Sequence, residues 1–285
     1  MAERLHSAKY SRGKAAQRCG LLLAFVIMAL AASAVDQPRE QIIKIVTQIQ
    51  RADYEGDRGA LKRLHDELSP AAENQKVGAR VQYWRGFALW RRAINGFNDN
   101  VGPGELQADL KQALDEFDDA ARKDPDFGDA KIAALSCVSL IGASVRMSGE
   151  DTARMQDLLV EWKKRRNDAE TAAPENPRLY WVLGPDMMFI PPERGGGHAK
   201  AIEMYKKGLT LIRQHNTSSN DALDPSWGEA ELLMNLAYTN LHGTPPDVAA
   251  AERYAREALS LVPYWHYVRD ILMPQIRAAM PKQQP

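Results

Sequence analysis

The sequence predicts an all-α protein built as a stack of antiparallel helix pairs. Strand signals are almost absent, and apolar residues recur at intervals of three and four between breaks at Pro, Gly and Asp. Several separated segments also share one pattern of small and large residues, which indicates an internal repeat. Prolines fall at or near the ends of the predicted helices, where a missing amide donor costs least; they are Pro125, Pro174, Pro177, Pro245 and Pro263.

The first 34 residues have the layout of a secretory signal peptide. A basic stretch precedes an uncharged run from Cys19 to Val35, and Ala32-Ser33-Ala34 supplies the small residues of a cleavage site. The alternative is an uncleaved membrane anchor, for which the run is short, since a span usually needs about 20 apolar residues. We therefore expect export, to the periplasm or outside the cell, and contact with a membrane only if this segment is not cleaved.

We expect eleven helices after residue 34. Residues 35–75 contain an amphipathic helix and a second helix after a break at Gly56 and Asp57, and we interpret them as a cap on the first repeat. Residues 76–285 form the repeat domain, whose last helix, bent at Pro274, caps the other end. The predicted helices are 38–55, 57–68, 76–95, 105–123, 127–148, 150–172, 177–189, 198–214, 226–242, 246–261 and 265–279.

The shared pattern has a simple explanation in helix packing. Small residues let one helix approach its partner closely, a larger side chain fills the gap between them, and proline then ends the helix. The pattern occurs as Ala113, Phe117, Ala120 and Pro125, as Ala251, Ala255, Ala258 and Pro263, and without the proline as Ala201, Tyr205 and Gly208.

These residues resemble the second helix of the tetratricopeptide repeat (TPR) family. The first-helix half of the family pattern appears as Tyr180, Leu183 and Gly184, with weaker counterparts at Gly86 and Ala237. The resemblance runs from about residue 76 to the C-terminus and implies a right-handed superhelix of antiparallel helix pairs, in a divergent form of exported bacterial type. Longer turns between the paired helices separate this chain from the family's regular spacing.

The resemblance also implies a concave groove that binds a protein or peptide partner. Within it, Arg80 and Arg178 would hold a carboxylate while Trp90 and Trp181 pack its apolar neighbours. The alternative is that these aromatic residues belong to the core, because a stripe at helical spacing is more often packed than liganded. The predicted groove residues are Arg80, Tyr83, Phe87, Trp90, Arg178, Trp181, Met188, Met234 and Tyr238.

Three consecutive glycines, residues 195–197, raise the possibility of a phosphate site. Neither the spacing of a nucleotide-binding loop nor a preceding strand is present. We interpret the glycines as a turn between two helices of one repeat, where positive φ angles are needed. The alternative is an anion held at the helix start near His198 and Lys200.

The remaining residues give no indication of a catalytic or metal-binding site. The histidines have no metal-ligand spacing, the carboxylates on the helix around Asp115 look like a solvated face, and no serine nucleophile elbow occurs. Cys137 lies in an apolar run and is interpreted as a small buried hydrophobe. We expect no catalytic site, no metal and no cofactor.

The sequence therefore favours an exported, non-enzymatic scaffold for protein interactions. Without residues 1–34 the chain is mildly acidic, which gives it no electrostatic footprint for nucleic acid. A second hypothesis is a periplasmic binding component of a solute-uptake system, which would hold a hydrophobic small ligand between its helices.

Overall fold

The structure is a computed structural model, and it describes residues 37–149, 152–215 and 221–280. The predicted signal peptide, residues 1–34, lies outside these residues. Every regular element within them is helical, and none is a strand. The predicted all-α class is confirmed for this part of the chain.

Within the described residues, ten helices form five consecutive pairs. The pairs are α1 (Arg39–Glu55) with α2 (Arg58–Glu67), α3 (Gly78–Asn98) with α4 (Pro103–Lys123), α5 (Gly128–Ser148) with α6 (Thr152–Ala172), α7 (Pro177–Phe189) with α8 (His198–His215), and α9 (Glu229–Leu241) with α10 (Val248–Leu261). A π-helical segment, Tyr267–Leu272, and α11, Met273–Ala279, follow the pairs. Short 3-10 turns occur at Ser69–Ala71 and Pro192–Arg194.

Polar caps explain where several helices begin. The Asp57 carboxylate accepts a hydrogen bond from the Ala60 amide at 2.8 Å at the start of α2. Asp247 does the same for the Ala250 amide at 2.9 Å at the start of α10. Each cap satisfies one of the amides that a helix N-terminus leaves without an intrahelical acceptor. Gly56, with φ of 73°, ends α1 in the left-handed conformation that glycine adopts without strain.

The pairs stack in chain order. Each helix packs on the next except at α6 and α7, and the first helix of each pair also packs on the first helix of the following pair. This is the arrangement of a superhelical solenoid, and the predicted fold class is confirmed. The junction between α6 and α7 is looser than the others, because α6 packs mainly against α5.

Glycine and aromatic residues meet where paired helices approach most closely. A Cβ atom on Gly86 of α3 would lie 2.9 Å from the Phe117 ring of α4. A Cβ atom on Gly184 of α7 would lie 2.0 Å from the Tyr205 ring of α8. Both rings are buried, as is Ala113. The predicted packing of small against large residues is confirmed at both pairs.

Two predicted helices become α-helical at least three residues later than predicted. Residues 226–242 were predicted as one helix, but α9 starts only at Glu229, because Gly228 has φ of 138°, which is not a helical conformation. The predicted helix 265–279 begins as the π-helical segment and becomes α-helical only at Met273.

Helix α5 is a long apolar element of the described chain. It is long and apolar enough to span a membrane, but 67% of its apolar window is buried within the chain, as in a core helix. Cys137 lies on it, fully buried, and burial raises the pKa of its thiol well above the ordinary value. The interpretation of Cys137 as a buried hydrophobe is therefore confirmed.

Candidate functional site: the inner wall

The predicted groove residues all lie on first helices of pairs. We call the surface that they form the inner wall: Arg80, Tyr83, Phe87 and Trp90 on α3, Arg178, Trp181 and Met188 on α7, and Met234 and Tyr238 on α9. The rings of Trp90 and Trp181 meet edge to face, with centroids 5.6 Å apart. Met188 meets α9, where its sulfur accepts a hydrogen bond from the Thr239 hydroxyl at 3.6 Å. The structure therefore brings these helices together as the sequence predicted.

The aromatic part of the inner wall is buried. Tyr83 and Trp90 have no exposed surface, Phe87 is 1% exposed and Trp181 is 7% exposed. The expectation that these four side chains face an open groove is therefore wrong for this structure, and the alternative, a place in the core, describes them. Their role in binding a partner stays a prediction.

The residues that cover the aromatic part belong to the same chain. We call Asp221–Gly228, which precedes α9, the inner segment. It is not helical, and its Leu223 and Trp227 side chains are buried, with 0% and 4% exposure. It contacts α3 and α7, which lie far from it in sequence.

Trp227 fills an aromatic box. Its ring centroid lies 5.3 Å from that of Trp181, 5.6 Å from that of Trp90 and 5.9 Å from that of Phe87. Its indole nitrogen donates a hydrogen bond to the Tyr83 hydroxyl at 2.8 Å. Aromatic pairs in such edge-to-face and tilted arrangements each contribute about 0.5–1.5 kcal/mol beyond the burial of their area.

Donors on α3 and α7 bind the main chain of the inner segment. The Trp84 indole donates to the Leu223 carbonyl at 2.7 Å. The Arg178 guanidinium donates to the carbonyls of Pro225 at 2.5 Å and Trp227 at 2.8 Å. Because these carbonyls are buried, each would cost free energy if it had no donor.

A charged pair completes the contact. Arg80 binds the Asp224 carboxylate, with Nε and Oδ1 2.5 Å apart. The sequence predicted that Arg80 and Arg178 would hold a carboxylate beside Trp90 and Trp181. In the structure Arg80 holds a carboxylate and Arg178 holds carbonyls, and both acceptors belong to the inner segment.

The C-terminal part of the inner wall is less covered. Met188, Met234 and Tyr238 are half-buried, and we call them the open stretch. The Tyr238 ring contacts the His242 ring in a tilted arrangement, with ring centroids 4.3 Å apart. Phe189, the last residue of α7, is 79% exposed next to Met188. The open stretch is therefore apolar and accessible.

A buried group of charges joins the first and last pairs. Asp53 of α1 and Arg91 of α3 form an ion pair of 2.8 Å, with both side chains at most 4% exposed. Burial raises the pKa of Asp53 even though the Arg91 charge opposes this. Glu231 of α9 accepts hydrogen bonds from the Tyr54 hydroxyl at 2.6 Å and from the Gly228 amide at 2.9 Å. The end of the inner segment is thus fixed to α1.

Comparison with known proteins supports the fold. No family model matches the chain, and no curated protein matches it. Among solved structures, the chain is similar to a thermophilic TPR protein of Thermus thermophilus, with a TM-score of 0.50 and 16% identity, over 85% of this chain and 98% of that one. The chain has a divergent TPR-like helical-repeat fold. At this identity the likeness shows the fold alone.

The glycine run lies in a turn of the TPR-like superhelix. Gly195 and Gly197 have φ of 84° and 90°, and the Gly197 amide donates to the Met187 carbonyl at 2.8 Å. A Cβ atom on Gly196 would lie 2.2 Å from the Ile190 carbonyl oxygen. Each glycine thus has a conformational or steric reason, which favours the turn interpretation over an anion site. The described residues contain no group of three or more His, Cys, Asp or Glu placed to hold a metal.

Sequence reasoning missed the inner segment. Leu223, Asp224 and Trp227 were not among the predicted site residues, and Trp227 fell inside the predicted helix 226–242. The available signal was the order Asp-Pro-Ser-Trp-Gly, in which proline and glycine flank a large aromatic residue outside any repeat pattern.

Proposed function

We propose that this chain is an exported, non-enzymatic scaffold that holds an extended segment of a protein partner against its inner wall. The observation that carries the proposal is the inner segment itself. A wall that binds one extended segment by its main chain and by an aromatic side chain has the groups needed to hold another.

The separation of main-chain contacts from a side-chain site supports peptide recognition. Trp84 and Arg178 bind carbonyl groups, which every peptide has, while the aromatic box around Trp227 accepts one large side chain. Main-chain hydrogen bonds supply affinity in such complexes, and a buried aromatic residue supplies much of the selectivity.

The open stretch offers a place for a partner to begin binding. Two of its three side chains are methionines, whose flexible, polarisable chains adapt to different apolar surfaces. Phe189 adds an exposed aromatic ring next to Met188. Accessible apolar groups of this kind are typical of binding surfaces when they lie together.

The test is site-specific photo-crosslinking in cells of the source species. A benzoylphenylalanine replaces Tyr238 in the open stretch, and the matched control places it at Tyr254, a half-buried tyrosine on α10. We expect a discrete adduct with another polypeptide at position 238 and none at position 254. Adducts at neither position, or equal adducts at both, would contradict the proposal.

Export rests on the layout of residues 1–34. Mass spectrometry of the protein recovered from cells should find an N-terminus at or near Val35 in the extracytoplasmic fraction. A full-length chain that stays in the membrane fraction would favour the anchor instead.

A hydrophobic small ligand receives less support. Two cavities of about 630 and 430 Å³ are lined mainly by charged and polar side chains, among them Lys131, Lys164 and Arg165 in the first. Native mass spectrometry of the purified protein distinguishes the two hypotheses, since a copurified small molecule would favour the solute-uptake component.

A further inference from the structure

The inner segment carries its recognised groups at a fixed spacing. Asp224 faces Arg80, the Pro225 carbonyl faces Arg178, and the Trp227 ring enters the aromatic box. An acidic residue, a proline and, two residues after the proline, a tryptophan therefore match three separate features of the inner wall.

The inner wall holds its two arginines in place without help from the inner segment. Arg80 also binds Asp124 at 2.7 Å, and its guanidinium lies 3.8 Å from the centre of the Phe127 ring. Arg178 also binds Asp129 at 3.1 Å. Because these partners lie on or next to α4 and α5, both arginines stay oriented for an incoming acceptor, which lowers the entropy cost of binding.

The cavity of about 430 Å³ adjoins the same place. It is lined by Arg80 and Arg178 of the inner wall, by Phe127 just before α5, and by Asp224 and Pro225 of the inner segment. A second chain can therefore reach the two arginines at the point where the inner segment passes them.

We infer that the partner segment has the chemistry of the inner segment, an acidic residue followed by proline and then by tryptophan two residues later, and that the inner segment competes with it for the wall. This inference rests on the proposed function and names the class of partner: an extended acidic peptide with one tryptophan.

Competition between the inner segment and a free peptide determines how tightly the peptide binds. The inner segment is joined to the fold by α9, so its effective concentration at the wall is on the order of millimolar. A free peptide of the same chemistry at micromolar concentration is outcompeted in the wild-type protein. A substitution that removes the Trp227 ring from the box weakens that competition, because the contacts of Asp224 and Pro225 alone hold the inner segment less tightly.

The experiment measures fluorescence anisotropy of a labelled synthetic peptide with the sequence of residues 221–229, DALDPSWGE. It is titrated with the mature chain carrying Trp227→Ala, with the wild type, and with Trp162→Ala as a control that removes a tryptophan from α6. We expect the Trp227→Ala protein to bind at least about tenfold more tightly than the other two, from the difference in competition. Peptides in which the tryptophan, or the aspartate that directly precedes the proline, is replaced by alanine should bind at least about tenfold more weakly.

A folded Trp227→Ala protein that binds no better than the wild type overturns the inference, and so does equal binding of the two altered peptides. If Trp227→Ala does not fold, Asp224→Ala is used, because it removes the contact with Arg80 and keeps the Trp227 ring; the same peptide must then bind more tightly than to the wild type. Adducts at position 238 without peptide binding refute this inference and leave the proposed function standing. Failure of both experiments refutes both.

Discussion

At the scale of single residues, Trp227 and Trp181 show how one contact joins distant parts of the chain. Trp227 comes from the inner segment, Trp181 from α7 and Trp90 from α3, and their rings meet pairwise within 5.6 Å. These buried rings belong to the core, whereas the half-buried side chains of the open stretch remain accessible.

The burial of Trp181 makes a stability prediction. Trp181→Ala removes a ring that packs on Trp90 and Trp227, so the free energy of unfolding should fall by about 3–5 kcal/mol. Phe189→Ala, on the same helix but 79% exposed, should change it by about 0.5 kcal/mol or less. Urea unfolding followed by circular dichroism measures both. A small loss for Trp181→Ala would place its ring outside the core.

The environment of Glu116 predicts how the stability of the fold depends on pH. Burial opposes its ionisation, but hydrogen bonds from His65 and Arg85 outweigh burial and hold its pKa below the ordinary 4.5. A carboxyl group with a lowered pKa stabilises the folded state above its unfolded pKa, and this stabilisation is lost as the pH falls through the folded pKa. Glu116→Gln should therefore cost about 2 kcal/mol at pH 7.

Thermal melts across pH check the sign of this effect. The gap in melting temperature between wild type and Glu116→Gln should be largest at neutral pH and should shrink below about pH 4.5. Glu73→Gln, at a carboxylate 84% exposed, serves as the control and should show a gap near zero throughout. A Glu116→Gln gap that stays constant or widens in acid would contradict the assignment.

At the scale of helices, the contact between Gly184 and Tyr205 holds one pair together. Gly184→Ala would place a methyl group 2.0 Å from the Tyr205 ring, so α7 and α8 must separate, at a cost of about 1–3 kcal/mol. Gly104→Ala, in the first turn of α4 with open space around it, should be neutral or stabilising by up to about 1 kcal/mol. Differential scanning calorimetry of the two variants compares them. Equal effects would show that the close approach is not required.

The helix pairs were predictable from sequence because their determinants are local. Ala113 and Phe117 lie one turn apart on one helix, and caps such as Asp57 act within three residues. The inner segment was not predictable in this way. Its contacts join Trp227 to Tyr83 and Leu223 to Trp84, pairs that are 144 and 139 residues apart. Periodicity in the sequence does not reveal contacts between residues so far apart. The groove was therefore predicted as open.

At the scale of the whole molecule, the first helix meets residues on either side of the last helix pair. Arg39 of α1 pairs with Asp221 at 2.5 Å, and the Tyr54 ring lies 5.1 Å from that of Trp265 just before the π-helical segment. A linear solenoid has contacts only between neighbouring repeats and can unfold from its ends. Here the inner segment and Tyr54 connect the first pair to the last, so the described helices should unfold together.

This closure predicts coincident unfolding by two probes. Helicity followed by circular dichroism and burial of tryptophan followed by fluorescence should give the same midpoint in the wild type, as a two-state transition requires. Tyr54→Ala removes the hydrogen bond to Glu231 and the contact with Trp265, so the two curves should separate, with the fluorescence midpoint lower. Tyr254→Ala on α10 is the control and should keep the curves coincident. Separate midpoints in the wild type would mean that the repeats unfold independently, because the contacts made by α1 would then be too weak to couple the two ends.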